Sequence, residues 1–378
     1  MENLSGIPVS VIIPLYNAEK FIGEALDSLL AQTFKNFEVI VVDDCSTDSS
    51  CAIVESYKEK FSGRLILVHM EENTGSGAMP KNKGLMMSRG EYVAFLDDDD
   101  LYTKSALEEL YTLAKKYDAD VVQCDNNYRI QEDGTGFREA LPHKDYFVDK
   151  PTFESDNLVE RVPKIIKRQY RVEQWTKLVR RNLIFEHEIF FPNTRPSDDV
   201  VWTCGLAFYA KRYLRVPNKV YIQRSNSSSI TRVQKTPRQT INFWLNPMLL
   251  GLKSLDNFMS KIKFFKANPQ YRYALLENRF IRIFGVLLPA SFKLNPFEVY
   301  DTIKQEYGKH FGDNDVLISA LCSFVNTMQR INAVNNQRMQ QLAAQANGTI
   351  KQLQESAAKD KARIAELEAE IKRLQSNT

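Results

Sequence analysis

The 378-residue sequence predicts an α/β protein: a mostly parallel sheet with helices on both faces, followed by a C-terminal helical region and a coiled coil. Three features carry that expectation. Short β-branched runs alternate with amphipathic stretches through the first 125 residues, polar clusters follow several of those runs directly, and the tail repeats apolar residues at spacings of three and four.

The elements read in order as follows. VSVII (9–13) is a buried strand, and Ala18 to Gln32 a helix whose Phe21, Ile22, Ala25, Leu26, Leu29 and Leu30 share one face. FEVIVV (37–42) is the second strand, followed by a helix from Thr47 to Lys60. RLILVH (64–69), a short helix from Lys81 to Ser88, EYVAFL (91–96), a helix from Lys104 to Tyr117 and ADVVQC (119–124) complete the series. Strand and helix alternating in this way imply right-handed crossovers between parallel strands.

Ligands of open parallel sheets sit beyond the carboxyl ends of the strands. Three clusters fall on that edge: Pro14, Tyr16 and Asn17; then Asp43, Asp44, Ser46 and Asp48; then Asp97, Asp98, Asp99 and Asp100. Helix capping is the alternative for any one of them, with Asn17 and Thr47 at cap positions. Three clusters on one rim favour a ligand. Adjacent carboxylates in a half-dry cleft repel one another, and a divalent cation relieves that repulsion. If the run is extended, Asp97 and Asp99 face one way and Asp98 and Asp100 the other. An all-oxygen pair suits Mg2+ or Mn2+ and leaves positions for phosphate oxygens. Neither the phosphate loop of ATPases nor the dinucleotide GxGxxG pattern follows the first strand.

Composition narrows the classes. Apolar residues make up 43% and charged residues 26%, an ordinary globular balance. A net charge of +3 argues against nucleic acid. Five scattered cysteines without a CxxC pair suit a reducing compartment and offer no zinc pattern, and the four histidines show no ligand spacing. No signal peptide or uncharged apolar run of membrane-spanning length is apparent, so a soluble cytoplasmic protein is expected.

VSVIIPLYN, VVDDCSTD and KNKGLMMSRGEYVAFLDDDD, in that order, resemble a family 2 glycosyltransferase of the Rossmann-like GT-A fold. The later WTKLVRR (175–181), PSDDVVW (196–202) and YIQRSNSSSIT (221–231) resemble it more loosely, so that about 230 residues are covered. The resemblance implies metal-dependent, inverting transfer of a hexosyl or N-acetylhexosaminyl group. The donor is a nucleotide diphosphate, a UDP-sugar first, and the acceptor a hydroxyl of a glycan, glycolipid or glycoprotein, as in cell-surface polysaccharide synthesis. It places Pro14, Tyr16, Asn17 and Asp44 around the nucleotide and Asp97 and Asp99 as the DxD pair, Asp99 being the direct metal ligand. Asp98 fills the variable middle position, and Asp100 contacts the donor sugar or orders the loop. Lys81 stands where the family has arginine on the diphosphate, with Asn82 and Gly84 matching. Asp199 is the implied general base, and Asp198 replaces the usual glutamate beside it. Ser197 capping the helix is the alternative for that pair. Trp175 and Lys177 fall on the acceptor side, with a core tryptophan as the alternative, and Arg224, Ser229 and Thr231 on a loop over the pyrophosphate, with an ordinary Ser-rich turn as the alternative.

Residues 1–125 are thus read as the nucleotide-sugar half, 126–234 as the acceptor half, 235–330 as a helical region and 331–378 as a coiled coil. The helical region mixes basic and aromatic residues, so packing on the catalytic domain and resting on the inner face of a membrane are both open. In the tail, Ile350, Leu353, Ala357, Asp360, Ile364, Leu367, Ile371 and Leu374 form a heptad stripe, with Gly348 as a joint before it. The stripe predicts self-association or a partner helix. A catalytically silent sugar-nucleotide-binding scaffold acting through that coiled coil is the alternative to an active transferase.

Overall fold

The computed structural model describes residues 6–140, 147–194, 197–226, 234–291, 294, 298–299, 301–302, 304–305 and 315–375. It divides into two units, Met1–Leu287 and Leu288–Thr378. The boundary differs from the ones read from sequence, because most of the helical region packs within the first unit.

The first unit is built on β1 (Val9–Leu15), β2 (Phe37–Asp43), β3 (Leu65–His69), β4 (Tyr92–Phe95) and β6 (Val121–Cys124). Helices α1 (Ile22–Leu30), α2 (Ser50–Tyr57), α3 (Ala78–Met87) and α4 (Ala106–Lys116) lie between them, with the two-residue β5 (Leu101–Tyr102) before α4. Every residue of β2, β4 and β6 is buried. Strands covered on both faces read as unbroken apolar runs, which is why their positions were visible in the sequence.

The chain continues through β7 (Tyr128–Ile130), β8 (Arg138–Glu139), β9 (Thr152–Glu154), α5 (Leu158–Ile166), a 3-10 turn (Gln174–Thr176), β10 (Lys177–Arg180) and α6 (Arg181–Glu186). Then come α7 (Asp198–Tyr209), β11 (Tyr213–Val216), β12 (Tyr221–Arg224), α8 (Pro237–Ser260), α9 (Lys263–Ala267) and α10 (Pro269–Ser291). The main sheet has the order β3-β2-β1-β4-β10-β6-β11-β9, and a small sheet the order β5-β12-β7-β8. The parallel series β3-β2-β1-β4 is as expected. Between β4 and β6, however, β10 inserts antiparallel to both, with Leu178 opposite Ala94 and Val122.

Three apolar clusters hold these layers. Val11, Ile13, Val39 and Ala94 face Leu26, Leu29, Leu107 and Leu110 of α1 and α4. Ile12, Val93 and Phe95, on the opposite pleat, face Leu85 of α3 and Trp202 and Leu206 of α7. The third cluster joins Val162, Cys204, Leu255, Met259, Phe265 and Leu275, packing α8, α9 and the start of α10 onto α5 and α7. One glycine is dictated by this packing: a Cβ on Gly84 would lie 2.4 Å from Ile12 Cγ2, so only glycine lets α3 approach β1.

In the second unit, α11 (Asp315–Gln375) is a single helix of 61 residues. Ile350, Leu353, Ile364, Leu367 and Ile371 are exposed on it. Among the described residues no helix is long and apolar enough to cross a membrane.

Candidate functional site

A cleft of about 710 Å3 opens at the carboxyl edge of the sheet, and all three polar clusters contribute to its walls. After β1, Pro14, Tyr16 and Asn17 line it. Asn17 has φ of 50°, a left-handed conformation that asparagine tolerates better than most residues. Its Oδ1 accepts from Thr47 N at 2.8 Å, and its own N–H donates to Ser46 Oγ at 3.0 Å. The turns after β1 and β2 are thereby stitched together. Asn17 and Thr47 are not caps: α1 starts behind Phe21 and α2 behind Ser49.

Asp44 is buried, and its Oδ1 accepts from both the N–H and the hydroxyl of Thr74 at 3.0 Å. This bond holds the segment after β3 against the cleft, where Asn73, Gly75, Ser76 and Gly77 form a wall. Beside it, Asp43, Cys51 and His69 bring ligand-type atoms within 4.8 Å of one another, a grouping the sequence spacing does not reveal.

The aspartate run is a turn, not an extended segment. Asp100 N–H donates to Asp97 O at 3.1 Å, so the expected alternation of faces is absent. Asp97, Asp98 and Asp99 all line the cleft, whereas Asp100 points beneath it. Each is tied separately. Asp97 Oδ1 accepts from Gln174 Nε2 at 2.8 Å, and Asp98 Oδ2 from Tyr16 N at 3.0 Å. Asp99 Oδ2 accepts from Asn226 Nδ2 at 3.0 Å, and Asp100 Oδ1 from Arg224 N at 2.6 Å. Burial and the neighbouring Asp99 push Asp97 up to about 7, and the same two causes hold Asp98 and Asp100 well above the usual carboxylate range.

Asp198 and Asp199 open the first turn of α7 and line the same cleft. Ser197 makes no side-chain cap bond to this helix. Lys81, buried on α3, donates to Asp198 Oδ2 at 2.7 Å and to Asp199 Oδ1 at 2.8 Å. Burial works against its ammonium, but Asp199 and Asp198 outweigh that and raise its pKa above the usual lysine value. Burial in turn pushes Asp199 up, Lys81 pulls it back and Asp198 raises it again, to about 6. Lys81 therefore lines the cleft with its charge shared between two acids 117 and 118 residues away.

Trp175 lines the cleft and stacks on Tyr221 with ring centroids 4.3 Å apart. Tyr221 Oη in turn accepts from Asp97 N at 3.1 Å. Lys177 is buried and does not line the cleft. It donates to Arg171 O at 2.6 Å and Glu173 O at 2.8 Å, and burial pushes its pKa down to about 7 against the pull of Glu173 and Asp199. Arg224 is also buried beneath the acidic turn: its Nε donates to Asp99 O at 2.9 Å and its Nη2 pairs with Glu24 at 2.6 Å. Ser229 and Thr231 lie outside the described residues. Sequence reading missed Gln174, Asn226 and Phe243, which also line the cleft. Gln174 adjoins the WTKL stretch, but nothing in its spacing points to Asp97.

A family model described as Glycosyl transferase family 2 matches residues 10–179. Glycosyltransferase GlyG of Streptococcus pneumoniae serotype 4 is 30% identical over 237 residues, 60% of this chain and 73% of GlyG. The poly(ribitol-phosphate) beta-N-acetylglucosaminyltransferase TarS of Staphylococcus aureus strain MW2 is 32% identical over 215 residues, 56% of this chain but 34% of TarS. The crystal structure of TarS residues 1–349 in complex with UDP-GlcNAc matches with a TM-score of 0.59 at 26% identity, over 79% of this chain and 82% of that one.

Proposed function

The chain belongs to glycosyl transferase family 2, and from that premise we propose that it transfers a sugar from a UDP-sugar to an acceptor hydroxyl with inversion at the anomeric carbon. The observation that carries the proposal is one cleft lined both by Asp97, Asp98 and Asp99 and by Asp198 and Asp199. The TarS structure solved with UDP-GlcNAc supports a UDP donor and an N-acetylhexosamine or hexose as the moving group.

In this reading Pro14, Tyr16, Asn17 and Asp44 hold the nucleotide. Asp97 and Asp99 fit a hard divalent ion, Mn2+ or Mg2+, because three cleft carboxylates crowd together with oxygen donors only. Such an ion supplies charge that offsets the leaving diphosphate. Asp98 fixes the Tyr16 loop, while Asp100 and Arg224 brace the turn from below. Asp199 takes the proton of the acceptor hydroxyl, whose oxygen attacks the anomeric carbon opposite the diphosphate; the bond to the diphosphate oxygen breaks with its electron pair leaving on that oxygen. Lys81 positions Asp199 and keeps it ionised near neutral pH, while Asp198 shares the lysine and opposes that ionisation. Trp175 offers a face to the acceptor, and Lys177 supports the segment behind it. A diphosphate-binding role for Ser229 and Thr231 rests on the sequence resemblance alone. Action in the cytoplasm and self-association through α11 belong to the same proposal and rest on sequence.

The test is UDP release by the full chain from UDP-GlcNAc and UDP-glucose, with and without Mn2+, together with nucleotide binding. Asp99→Ala is expected to lose cation-dependent binding. Asp199→Ala is expected to bind normally and to lose turnover by about 100-fold or more. Wild-type behaviour of both variants would overturn the roles given.

A further inference from the structure

Helix α7 separates two hollows. Its first-turn acids line the cleft, while Ser197, Val200, Thr203 and Cys204 line a second cavity of about 400 Å3. Trp244 of α8 and Leu275 of α10 give that cavity an apolar wall. Its charges are one-sided. Arg168, Arg171, Arg279 and Arg282 line it against one carboxylate, Glu173, which Arg171 Nε already holds at 3.0 Å. Arg282 Nε donates to the neutral amide of Asn278 at 3.0 Å. Among the described residues, no carboxylate is paired with Arg168, Arg279 or Arg282. Burial depresses the pKa of Arg279, Cys204 offsets part of that, and the nearby Arg168 lowers it further.

Unpaired guanidinium groups gathered around a hollow are unfavourable until an anion enters, and their planar forks match phosphate oxygens. The apolar wall suits the carbon skeleton attached to such an anion. The location adds a direction: Ser197 borders this cavity, and Asp199, two residues on, borders the cleft. That step is about 3 Å along a helix axis.

We propose that this cavity seats a phosphate group of the acceptor, so that the acceptor is a phosphate-bearing glycan or polyol and not a neutral sugar. The assignment to an acceptor rests on the transferase reading above; the assignment of an anion site does not.

Calorimetric titration of the full chain with glycerol 3-phosphate and with glycerophosphoglycerol, using glycerol as the uncharged control, tests the proposal. UDP is titrated in parallel. Wild-type protein is expected to bind at least one phosphate and not glycerol, with Arg279→Gln and Arg282→Gln each weakening phosphate binding at least tenfold while UDP affinity stays within twofold. Arg168 is exposed, so Arg168→Gln provides a variant whose folding is secure. Preference for the diester assigns an internal phosphate of the acceptor; preference for the monoester assigns a terminal one. Absence of phosphate binding, or equal binding by wild type and all three variants, overturns the proposal. Phosphate binding without UDP binding refutes the transferase reading and leaves the anion site standing.

Discussion

Replacing Lys81 by methionine removes the charge shared by Asp198 and Asp199 while keeping most of the buried volume. Its Nζ lies 2.8 Å from Asp199 Oδ1, and with that contact the Asp199 carboxyl titrates at about 6. A pair of unit charges near 4 Å in an effective dielectric of 20 is worth about 4 kcal/mol. At about 1.4 kcal/mol per unit, complete loss would raise the carboxyl by about three units. Lys177, which also attracts Asp199, and water entering the gap reduce this to about two, placing the group near about 8. A general base must be ionised, so the acidic limb of UDP release against pH should move from near 6 to near 8, with about a tenfold loss of rate at pH 7 that is recovered above pH 9. Stability offers a second readout. A carboxyl whose folded pKa is raised binds its proton more tightly in the native state, so stability is present at low pH and lost as pH rises through the folded value. The Tm of Lys81→Met should therefore fall, relative to wild type, between about pH 6 and 8. Lys81→Arg should restore the wild-type limb. An acidic limb for Lys81→Met that coincides with wild type would refute the reasoning.

The close approach of α3 to β1 predicts that Gly84→Ala, whose new methyl would meet Ile12, destabilises the first unit by about 1–3 kcal/mol, read as a lower denaturant midpoint at unchanged slope. Exposed Ile364 and Leu367 predict that glutamate at both positions reduces the assembled mass measured by light scattering and leaves UDP binding unchanged. An unchanged mass would remove α11 as the association element.

Much of this cleft was legible because parallel strands are buried on both faces, so VSVII and FEVIVV stand out without neighbours, and because polar residues at their carboxyl ends share one rim. The antiparallel β10 was not legible as sheet: four residues, Lys177–Arg180, carry too little alternation to announce a pairing with β4 and β6. The shape of the aspartate run was misjudged because charge says nothing about whether a segment is extended, and the bond from Asp100 to Asp97 decides it. Lys81 was expected on the diphosphate from its motif. Its bonds to Asp198 and Asp199 depend on α3 and α7 meeting across the sheet, which no local pattern encodes. The arginines of the second cavity are dispersed from 168 to 282, and only the packing of α8 and α10 brings them together.

That packing also divides the lining of the two hollows between separate stretches of the chain. The turns after β1, β2 and β4 that line the cleft come before residue 101, whereas Asp199 is carried by α7 and Arg279 and Arg282 by α10, helices fastened through their own apolar cluster around Cys204, Met259 and Leu275. The family match ends at residue 179, close to this seam. Because β11 and β12 follow this seam, any replacement of the helical layer must retain Tyr213–Val216 and Tyr221–Arg224 to leave both sheets whole. A chimaera joined after β10 would exchange β11 and β12 together with the helices and would part Arg168 and Arg171 from Arg279 and Arg282.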